Sequence, residues 1–281
     1  MNTAVFRASS LAQLRLIRIR QPGLVLALIV IALAVLCAVA PGLLAPYGPL
    51  DADPANRLLA PSLQHLFGTD NLGRDVFSRS IHGAVLSLSG ATIAVSLGLS
   101  AGVTVGMLAG YAGGLADAVI MRLIDVLLAV PNLLLSMAIV VTFGFGTWNA
   151  ALAVGVASIA VFARLTRAEV LRVRALPYVE AARGSGVGHA GIVVRHILPN
   201  AITPVLGLAA LQFGTAILAI ATLGFLGFGT PPPTPEWGLQ VAEGRDFLAF
   251  AWWLTALPGL VIVAVVLSAS RIATEIRRRA R

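Results

Sequence analysis

The chain has 281 residues, of which 58% are hydrophobic and 11% are charged, whereas charged residues make up about a quarter of a typical soluble domain. This composition excludes an ordinary soluble protein and predicts an integral membrane protein. The net charge of +8 does not indicate nucleic-acid binding, because the arginines lie beside apolar segments and no aromatic-interleaved basic surface is present.

The first apolar segment, residues 23–40, carries no charge and is long enough for one bilayer crossing. It follows a basic stretch that contains Arg7, Arg15, Arg18 and Arg20. The tripeptide at 38–40 resembles a signal-peptide cleavage site, but the long apolar core and Pro41 directly after it favour an uncleaved helix. Cys37, the single cysteine, is interpreted as a small buried hydrophobe, so no disulfide framework and no cysteine metal site are expected.

Residues 46–83 form a polar segment that is predicted to lie outside the cytoplasm. Within it, Asp70, Arg74 and Asp75 offer alternating charges, and Gly68 and Gly73 offer tight turns. These features predict a cap at the membrane surface that satisfies its own charges and hydrogen bonds. A metal site at His65 with the two aspartates is an alternative, but carboxylates near a histidine are common, and no metal site is predicted.

Residues 65–79, HLFGTDNLGRDVFSR, resemble a signature of the dipeptide, oligopeptide and nickel permease subfamily of bacterial ABC importers. The signature reads H-x-L-G-T-D-x-x-G-R-D-x-x-S-R, and Phe67 stands here in place of leucine. The matching residues that form the predicted cap site are Gly68, Thr69, Asp70, Gly73, Arg74 and Asp75. The resemblance implies an all-α polytopic bundle of the type I importer permease class.

A second span is predicted over residues 84–111. Glycines recur on it at intervals of four: Gly98, Gly102, Gly106, Gly110 and Gly114. A face of small residues lets two helix backbones approach closely in lipid, so this helix is expected to pack tightly against another. A glycine row that merely faces lipid is the alternative, but five glycines in register favour packing.

The third predicted span, residues 119–142, contains Arg122, Asp125 and Pro131. Arg122 and Asp125 are three residues apart, so they can pair on one helix face near the cytoplasmic end. A proton-relay role for Asp125 is the alternative, because ionisable residues in membranes are functional candidates. Mutual neutralisation is the favoured interpretation.

Three further spans are predicted at residues 148–163, 201–228 and 251–269, the last with Trp252 and Trp253 as interfacial anchors. The loop at 229–250 contains PPTPEWG at 232–238 and AEGR at 242–245. Both stretches also resemble the same permease subfamily, and the loop is predicted to lie outside the cytoplasm.

The longest polar interruption in the second half of the chain is residues 178–200, YVEAARGSGVGHAGIVVRHILPN. It predicts two short helices around a glycine turn, with Pro199 ending the second helix. The pattern resembles the EAA loop of ABC importer permeases, with His196 where isoleucine is usual. An ordinary amphipathic loop is the alternative. By the resemblance, the residues that contact a cytoplasmic ATPase are Glu180, Ala181, Ala182, Gly186, Ile197, Leu198 and Pro199.

Counting arginines predicts the orientation. With both termini in the cytoplasm, 16 of the 20 arginines fall on the cytoplasmic side, as the positive-inside rule requires. The 178–200 loop then lies where an ATPase would be. The chain is accordingly divided into 1–83 (N-terminus, first helix and extracytoplasmic segment), 84–271 (permease domain) and 272–281 (basic cytoplasmic tail).

The sequence therefore predicts a multi-pass protein of the bacterial inner membrane, with six transmembrane helices, that serves as the permease of an ABC importer for di- or oligopeptides. All 20 basic residues are arginine, so no P-loop lysine exists, and ATP and Mg²⁺ are expected on partner ATPase subunits, with no cofactor on this chain. The resemblance implies a second homologous permease, two ATPases and an extracytoplasmic substrate-binding protein as partners, in contact with membrane lipid. The alternatives are a nickel, haem or other metal-chelate permease and a proton-coupled secondary transporter. No intramembrane hydrolase motif and no catalytic residue is found.

Overall fold

The computed structural model describes residues 22–279, and within this range the chain is helical, with one isolated β-bridge between Thr69 and Asp75. The helices of eight residues or more are α1 (Pro22–Val39), α2 (Val76–Ala112), α3 (Gly114–Ala129), α4 (Asn132–Phe143), α5 (Thr147–Arg174), α6 (Pro177–Gly184), α7 (His189–Phe225), α8 (Trp237–Gly244) and α9 (Trp253–Arg279). Short helical turns lie at Pro41–Leu44, Pro54–Asn56 and Arg245–Phe247. The all-α prediction is confirmed. Several arginines that were counted for the orientation lie outside the described residues: Arg7, Arg15, Arg18, Arg20 and Arg281.

Five of these helices are long and apolar enough to cross a membrane, namely α1, α2, α5, α7 and α9. Helices α3 and α4 make a sixth crossing if they are counted together, but they meet at an angle of 90°. The break lies at Val130, whose backbone is extended with φ −85° and ψ 128°, because the ring of Pro131 disfavours the helical region for the residue before it. The predicted third span at 119–142 is therefore divided at Pro131 into two helices, and it counts as one crossing only if the two are taken together.

Helix α2 begins at Val76, well before the predicted start of the second span. Asp75 caps it by accepting a hydrogen bond from the Ser78 backbone N–H at 2.7 Å. The proposed division at residue 83 consequently falls inside α2. With 37 residues, α2 is about 55 Å long and projects beyond a hydrocarbon core of about 30 Å.

Helix α7 continues through the position at which Pro199 was predicted to end a helix. A wider π-turn spans Val193–Ile197, and the Leu198 N–H bonds to the Val193 carbonyl. Pro199 then lies in the first turn of the following α-helical segment, where a missing N–H costs nothing. The prediction that the helix ends at Pro199 is wrong, because the π-turn before it leaves Pro199 at a position where no backbone N–H is needed.

Helices α2 and α5 form the centre of the bundle. A Cβ atom built on Gly102 would lie 2.8 Å from the Ile159 carbonyl oxygen, and one on Gly106 would lie 2.7 Å from Thr166 Cβ. The glycines of α2 that meet α5 in this way are Gly98, Gly102, Gly106 and Gly110. Gly114 does not belong to this face, because it lies beyond the end of α2 with φ +55° and has open space around its Cβ position.

The last helix also exceeds its predicted limits. Helix α9 runs from Trp253 to Arg279, so the part of the tail at 272–279 continues the helix. Trp253 is buried in a small core with Val76 and Leu254, and its ring N–H points to the Thr69 carbonyl at 3.4 Å. Of the two predicted interfacial anchors, only Trp252 is exposed, because Trp253 packs inward.

Candidate functional site

Two polar regions lie at opposite ends of α2. We call residues 45–75 with 229–252 the cap, and residues 177–197 the knob. The first turn of α2 contacts the cap, as the Arg79 bond to Glu243 at 2.9 Å shows. The last turn contacts the knob through Tyr111, whose hydroxyl lies 2.7 Å from His189 Nδ1. The length of α2 therefore separates the cap from the knob.

The outer face of the knob consists of small and exposed residues. Glu180, Ala181 and Gly186 are exposed, and Ala182 is half-buried. Cβ atoms built on Gly184 and Gly186 would meet no atom within 4 Å. This face is open to a partner and contains little bulk.

Gly186 forms the turn of the knob with φ +83°. The Gly186 N–H bonds to the Arg183 carbonyl at 3.1 Å, and the Val187 N–H bonds to the Ala182 carbonyl at 3.2 Å. This arrangement closes the end of α6, and its left-handed residue favours glycine because a Cβ atom would be strained there.

The inner face of the knob is a small hydrophobic core. Val179, Ile192 and Ile197 are buried there beside Val170 and Val173 of α5. Ile197 is 0% exposed, so its predicted contact with an ATPase does not fit this geometry; it holds the knob to the bundle instead. The next two residues on α7 are half-buried Leu198 and exposed Pro199.

Hydrogen bonds also fasten the last residue of α5, just before the knob, to the end of α2. Arg174 Nη1 donates to the carbonyl oxygens of Gly110 at 3.0 Å and Tyr111 at 2.9 Å. The Tyr111–His189 contact connects the knob directly to α2, and the Arg174 bonds fix the end of α5, from which the knob continues, to the same turn of α2. A displacement of the knob would therefore act on α2 and α5 together.

The cap contains the 68–75 signature. Thr69 Oγ1 accepts from the Leu59 N–H at 2.8 Å and donates to the Asn56 carbonyl at 2.5 Å. Asp70 accepts from the Arg74 backbone N–H at 3.0 Å and from Arg74 Nε at 2.6 Å. The turns of this segment include Gly68 and Gly73, with φ +71° and +79°. The motif thus folds as an internally bonded unit whose charges pair with one another.

His65 and Asp75 form a pair that does not extend to a metal site. His65 Nδ1 lies 2.9 Å from Asp75 Oδ1, and Asp75 Oδ2 accepts from the Ser78 N–H. Asp70, the third residue of the metal site considered above, forms an ion pair with Arg74 instead. Within residues 22–279, no group of three or more histidine, cysteine, aspartate or glutamate side chains could hold a metal ion.

Arg79 joins the two motifs that the sequence shows separately. Its side chain is 2% exposed, and Nη2 donates to Glu243 Oε2 at 2.9 Å. Nη1 donates to the Pro49 and Pro233 carbonyl oxygens at 3.2 and 3.3 Å. The sequence analysis included Arg79 and Glu243 in their motifs but did not predict that they pair. Each motif contains charges that could have indicated a partner, but the two residues are 164 positions apart in the chain, so no local pattern relates them.

Helix α8 is held against α2 by buried polar contacts. Gln240 accepts from Ser80 Oγ at 2.9 Å and donates to the Arg79 carbonyl at 2.9 Å. The Trp237 ring N–H donates to the Ser80 carbonyl at 2.8 Å. The two cap motifs therefore close over the first turns of α2.

Glu236 begins α8 and is fully buried. Its carboxylate accepts from the backbone N–H groups of Gly238 at 3.0 Å and Leu239 at 2.9 Å, and from Ser87 Oγ at 3.2 Å. Burial raises the pKa of the Glu236 carboxyl, and these hydrogen bonds oppose that rise. Sequence reasoning did not single out this residue.

Ion pairs between α3 and α5 replace the predicted Arg122–Asp125 pair. Asp125 bonds to Arg164 at 2.5 Å, and Asp117 accepts from Arg167 Nε and Nη2 at 2.5 and 2.6 Å. The prediction was wrong because α3 lies beside α5, whose arginines reach these carboxylates. A proton-relay role for Asp125 is not needed to explain its presence.

These features define a polytopic membrane bundle with an exposed knob at one end and a bonded cap at the other. Residues 102–281 match the model of the binding-protein-dependent transport system inner membrane component family, and the chain belongs to this family. The chain is therefore a multi-pass membrane component of a binding-protein-dependent transport system.

Individual members of the family show which of its permeases this chain is similar to. The chain is 40% identical, over 90% of its own length and 83% of the relative, to the dipeptide transport system permease protein DppC of Alkalihalophilus pseudofirmus. It is 42% identical, over 89% of its length and 82% of the relative, to the glutathione transport system permease protein GsiD of Shigella flexneri. An inward-facing structure of the MetNI methionine ABC transporter shares the fold, with a TM-score of 0.61 and 17% identity over 72% of this chain and 96% of that one.

Proposed function

We propose that the chain is one permease subunit of an ATP-driven importer and forms half of a pathway for di- or oligopeptides. The relatives support this solute class, because dipeptides and glutathione both contain amide-linked amino acids. The family supports the inner membrane of a bacterium as the location.

The observation that carries the proposal is the exposed knob, which contacts α2 through Tyr111 and His189 and follows the end of α5 that Arg174 bonds to α2. We assign its outer face to contact with a cytoplasmic ATPase through Glu180, Ala181, Ala182, Gly186, Leu198 and Pro199. ATP and Mg²⁺ bind to the ATPase subunits, since this chain lacks the lysine of a P-loop. No cofactor is assigned to this chain.

The proposed complex contains a second homologous permease, two ATPases and a substrate-binding protein. The knob faces the cytoplasm and the cap faces the binding protein outside. Arginines support this orientation, because the end of α5 next to the knob carries Arg164, Arg167, Arg172 and Arg174 and the knob itself carries Arg183 and Arg195. Membrane lipid surrounds the bundle, and no nucleic acid takes part.

Single cysteines on a Cys37→Ala background test the orientation. Leu63 is 98% exposed in the cap, so Leu63→Cys should react with a membrane-impermeant maleimide on intact spheroplasts. Ser185→Cys, exposed on the knob, should react only after permeabilisation. Labelling of Ser185→Cys on intact spheroplasts would place the knob outside and contradict ATPase coupling.

Gly186→Val tests the coupling. Valine at φ +83° costs on the order of 1 to 3 kcal/mol, and each 1.4 kcal/mol is about tenfold in affinity. In the reconstituted complex, we expect normal membrane insertion, loss of most ATP-driven dipeptide uptake and weaker retention of the ATPases in a pull-down. Glu180→Ala should have a milder effect.

Gly188→Val is the matched control. Gly188 lies in the same exposed turn with φ −65° and ψ 159°, a region that valine adopts without strain. If Gly186→Val keeps both its ATPases and full uptake, the knob does not couple ATP hydrolysis to transport. If Gly188→Val is equally defective, added bulk, and not backbone strain, is what the interface rejects.

A further inference from the structure

A groove of about 360 Å³ lies between α4, α5 and α7. Its volume falls within the range of roughly 300 to 1,000 Å³ of small-molecule sites. Its lining is mainly apolar, with the hydrogen-bonding side chains Asn132, Ser136, Ser158, Gln212, Thr215 and Thr222. None of the described residues that line it is ionisable.

The amide side chains of this groove are not satisfied by the protein. Among residues 22–279, the Asn132 side chain makes no hydrogen bond, and the Gln212 amide nitrogen has no acceptor. The Gln212 carbonyl oxygen accepts only from Thr215 Oγ1, at 3.2 Å. Asn132 is exposed and Gln212 is half-buried, so their free amide groups are open to water or to a polar solute, whereas facing hydrocarbon would cost them several kcal/mol. The groove is therefore an open polar surface on one side of the bundle.

The chemistry of the groove matches a peptide backbone. A carboxamide side chain presents one acceptor oxygen and a donor N–H₂ group, which is the hydrogen-bonding complement of a peptide bond. Because no charge lines the groove, solutes of different net charge meet the same electrostatic environment there.

The groove is followed along α5 by a wider cavity of about 790 Å³, and both contact Val161. The wider cavity is lined by Arg164, Glu169 and Arg277 among apolar residues, and Arg164 lies on the part of α5 nearer the knob. Of these two cavities, the one nearer the knob is therefore lined by ionisable groups, and the groove farther from the knob is neutral.

We propose that Asn132, Ser136, Gln212, Thr215 and Thr222 line the part of the pathway that contacts the backbone amides of a passing peptide, without selecting for side-chain charge. This inference rests on the proposed transport function. In that complex, the groove forms one wall of the pathway and the second permease the other.

The test uses the complete transporter in proteoliposomes with its binding protein. ATP-driven uptake is measured for radiolabelled alanyl-alanine, lysyl-alanine and glutamyl-alanine. Gln212→Leu should lower uptake of all three dipeptides by about tenfold, equivalent to 1.4 kcal/mol. Gln212→Glu should change the lysyl-alanine to glutamyl-alanine uptake ratio by at least about fivefold, because a carboxylate that lines the groove attracts cationic and repels anionic dipeptides.

Thr142→Val is the matched control on α4, because Thr142 is exposed and its hydroxyl already bonds to the Ala138 carbonyl. Thr142→Val should leave both the dipeptide uptake and the lysyl-alanine to glutamyl-alanine uptake ratio unchanged. If Gln212→Leu does not assemble, Gln212→Glu and Asn132→Asp decide the question, since they nearly preserve side-chain volume.

An unchanged uptake ratio in both charged variants, with normal assembly, would overturn the groove assignment while leaving the transport function intact. A wild-type complex that hydrolyses ATP but takes up none of the dipeptides would instead overturn the proposed solute class. The two failures are therefore distinguishable.

Discussion

Gly102→Leu and Gly106→Leu are expected to separate α2 from α5 and to abolish recovery of the assembled complex. Even a Cβ atom at either position would lie less than 3 Å from atoms of α5. Overpacking by a few methylene groups costs about 1 to 3 kcal/mol, and a leucine between two backbones also forces the helices apart. Because association in lipid depends on close backbone approach, the yield of complex after detergent extraction is the measurement.

Thr104→Leu is the control for this prediction. Thr104 lies between the two glycines on α2 but is exposed, so an added leucine there should be accommodated without displacing the helices that residues 22–279 form. Gly102→Ala should give an intermediate yield. Normal yields from Gly102→Leu and Gly106→Leu would show that the glycine face is incidental to packing.

Arg79→Met is expected to detach the cap and lower the thermal stability of the chain. The change removes a buried charge, leaves the Pro49 and Pro233 carbonyls without their donor and leaves Glu243 with only the longer Arg74 contact at 3.8 Å. Breaking a buried ion pair costs about 3 to 5 kcal/mol, which corresponds to a fall of about 10 °C in Tm for a chain of this size. Loss of the monodisperse peak after heating in detergent measures this fall.

Arg245→Met is the matched control in the same cap. Arg245 pairs with Asp246, and both side chains are mostly exposed, so the pair contributes about 1 kcal/mol or less. A double variant of Arg79→Met with Glu243→Gln should lose less stability than the sum of the single changes. Strict additivity, or an equal loss from Arg245→Met, would contradict the cross-link between the two motifs.

Much of the fold was predictable because transmembrane helices are local in sequence. A long apolar segment in lipid must satisfy its own backbone groups, and a helix does so without distant partners. The segments at 23–40 and 84–111 accordingly fall within or overlap α1 and α2. The broken span at Pro131 was harder to predict, because a proline in a membrane helix is often accommodated without a 90° bend.

The candidate site was predictable only in part. The pattern at 178–200 indicated an exposed loop with a glycine turn, and Gly186 has the positive φ that this requires. The pattern could not separate the outer face of the knob from its core, so Ile197 was placed among the contact residues although it is buried. Burial depends on Val170 and Val173 of α5, which no local spacing reveals.

By itself, the sequence determined the membrane class, the approximate spans, the glycine row and the two motif regions, since each follows from hydropathy or from spacing within one segment. Only the tertiary structure decided that Asp125 pairs with Arg164 and that Arg79 meets Glu243. It also decided that α4, α5 and α7 together line a neutral groove. These features join residues far apart in the chain, and their distances depend on how the helices pack against one another.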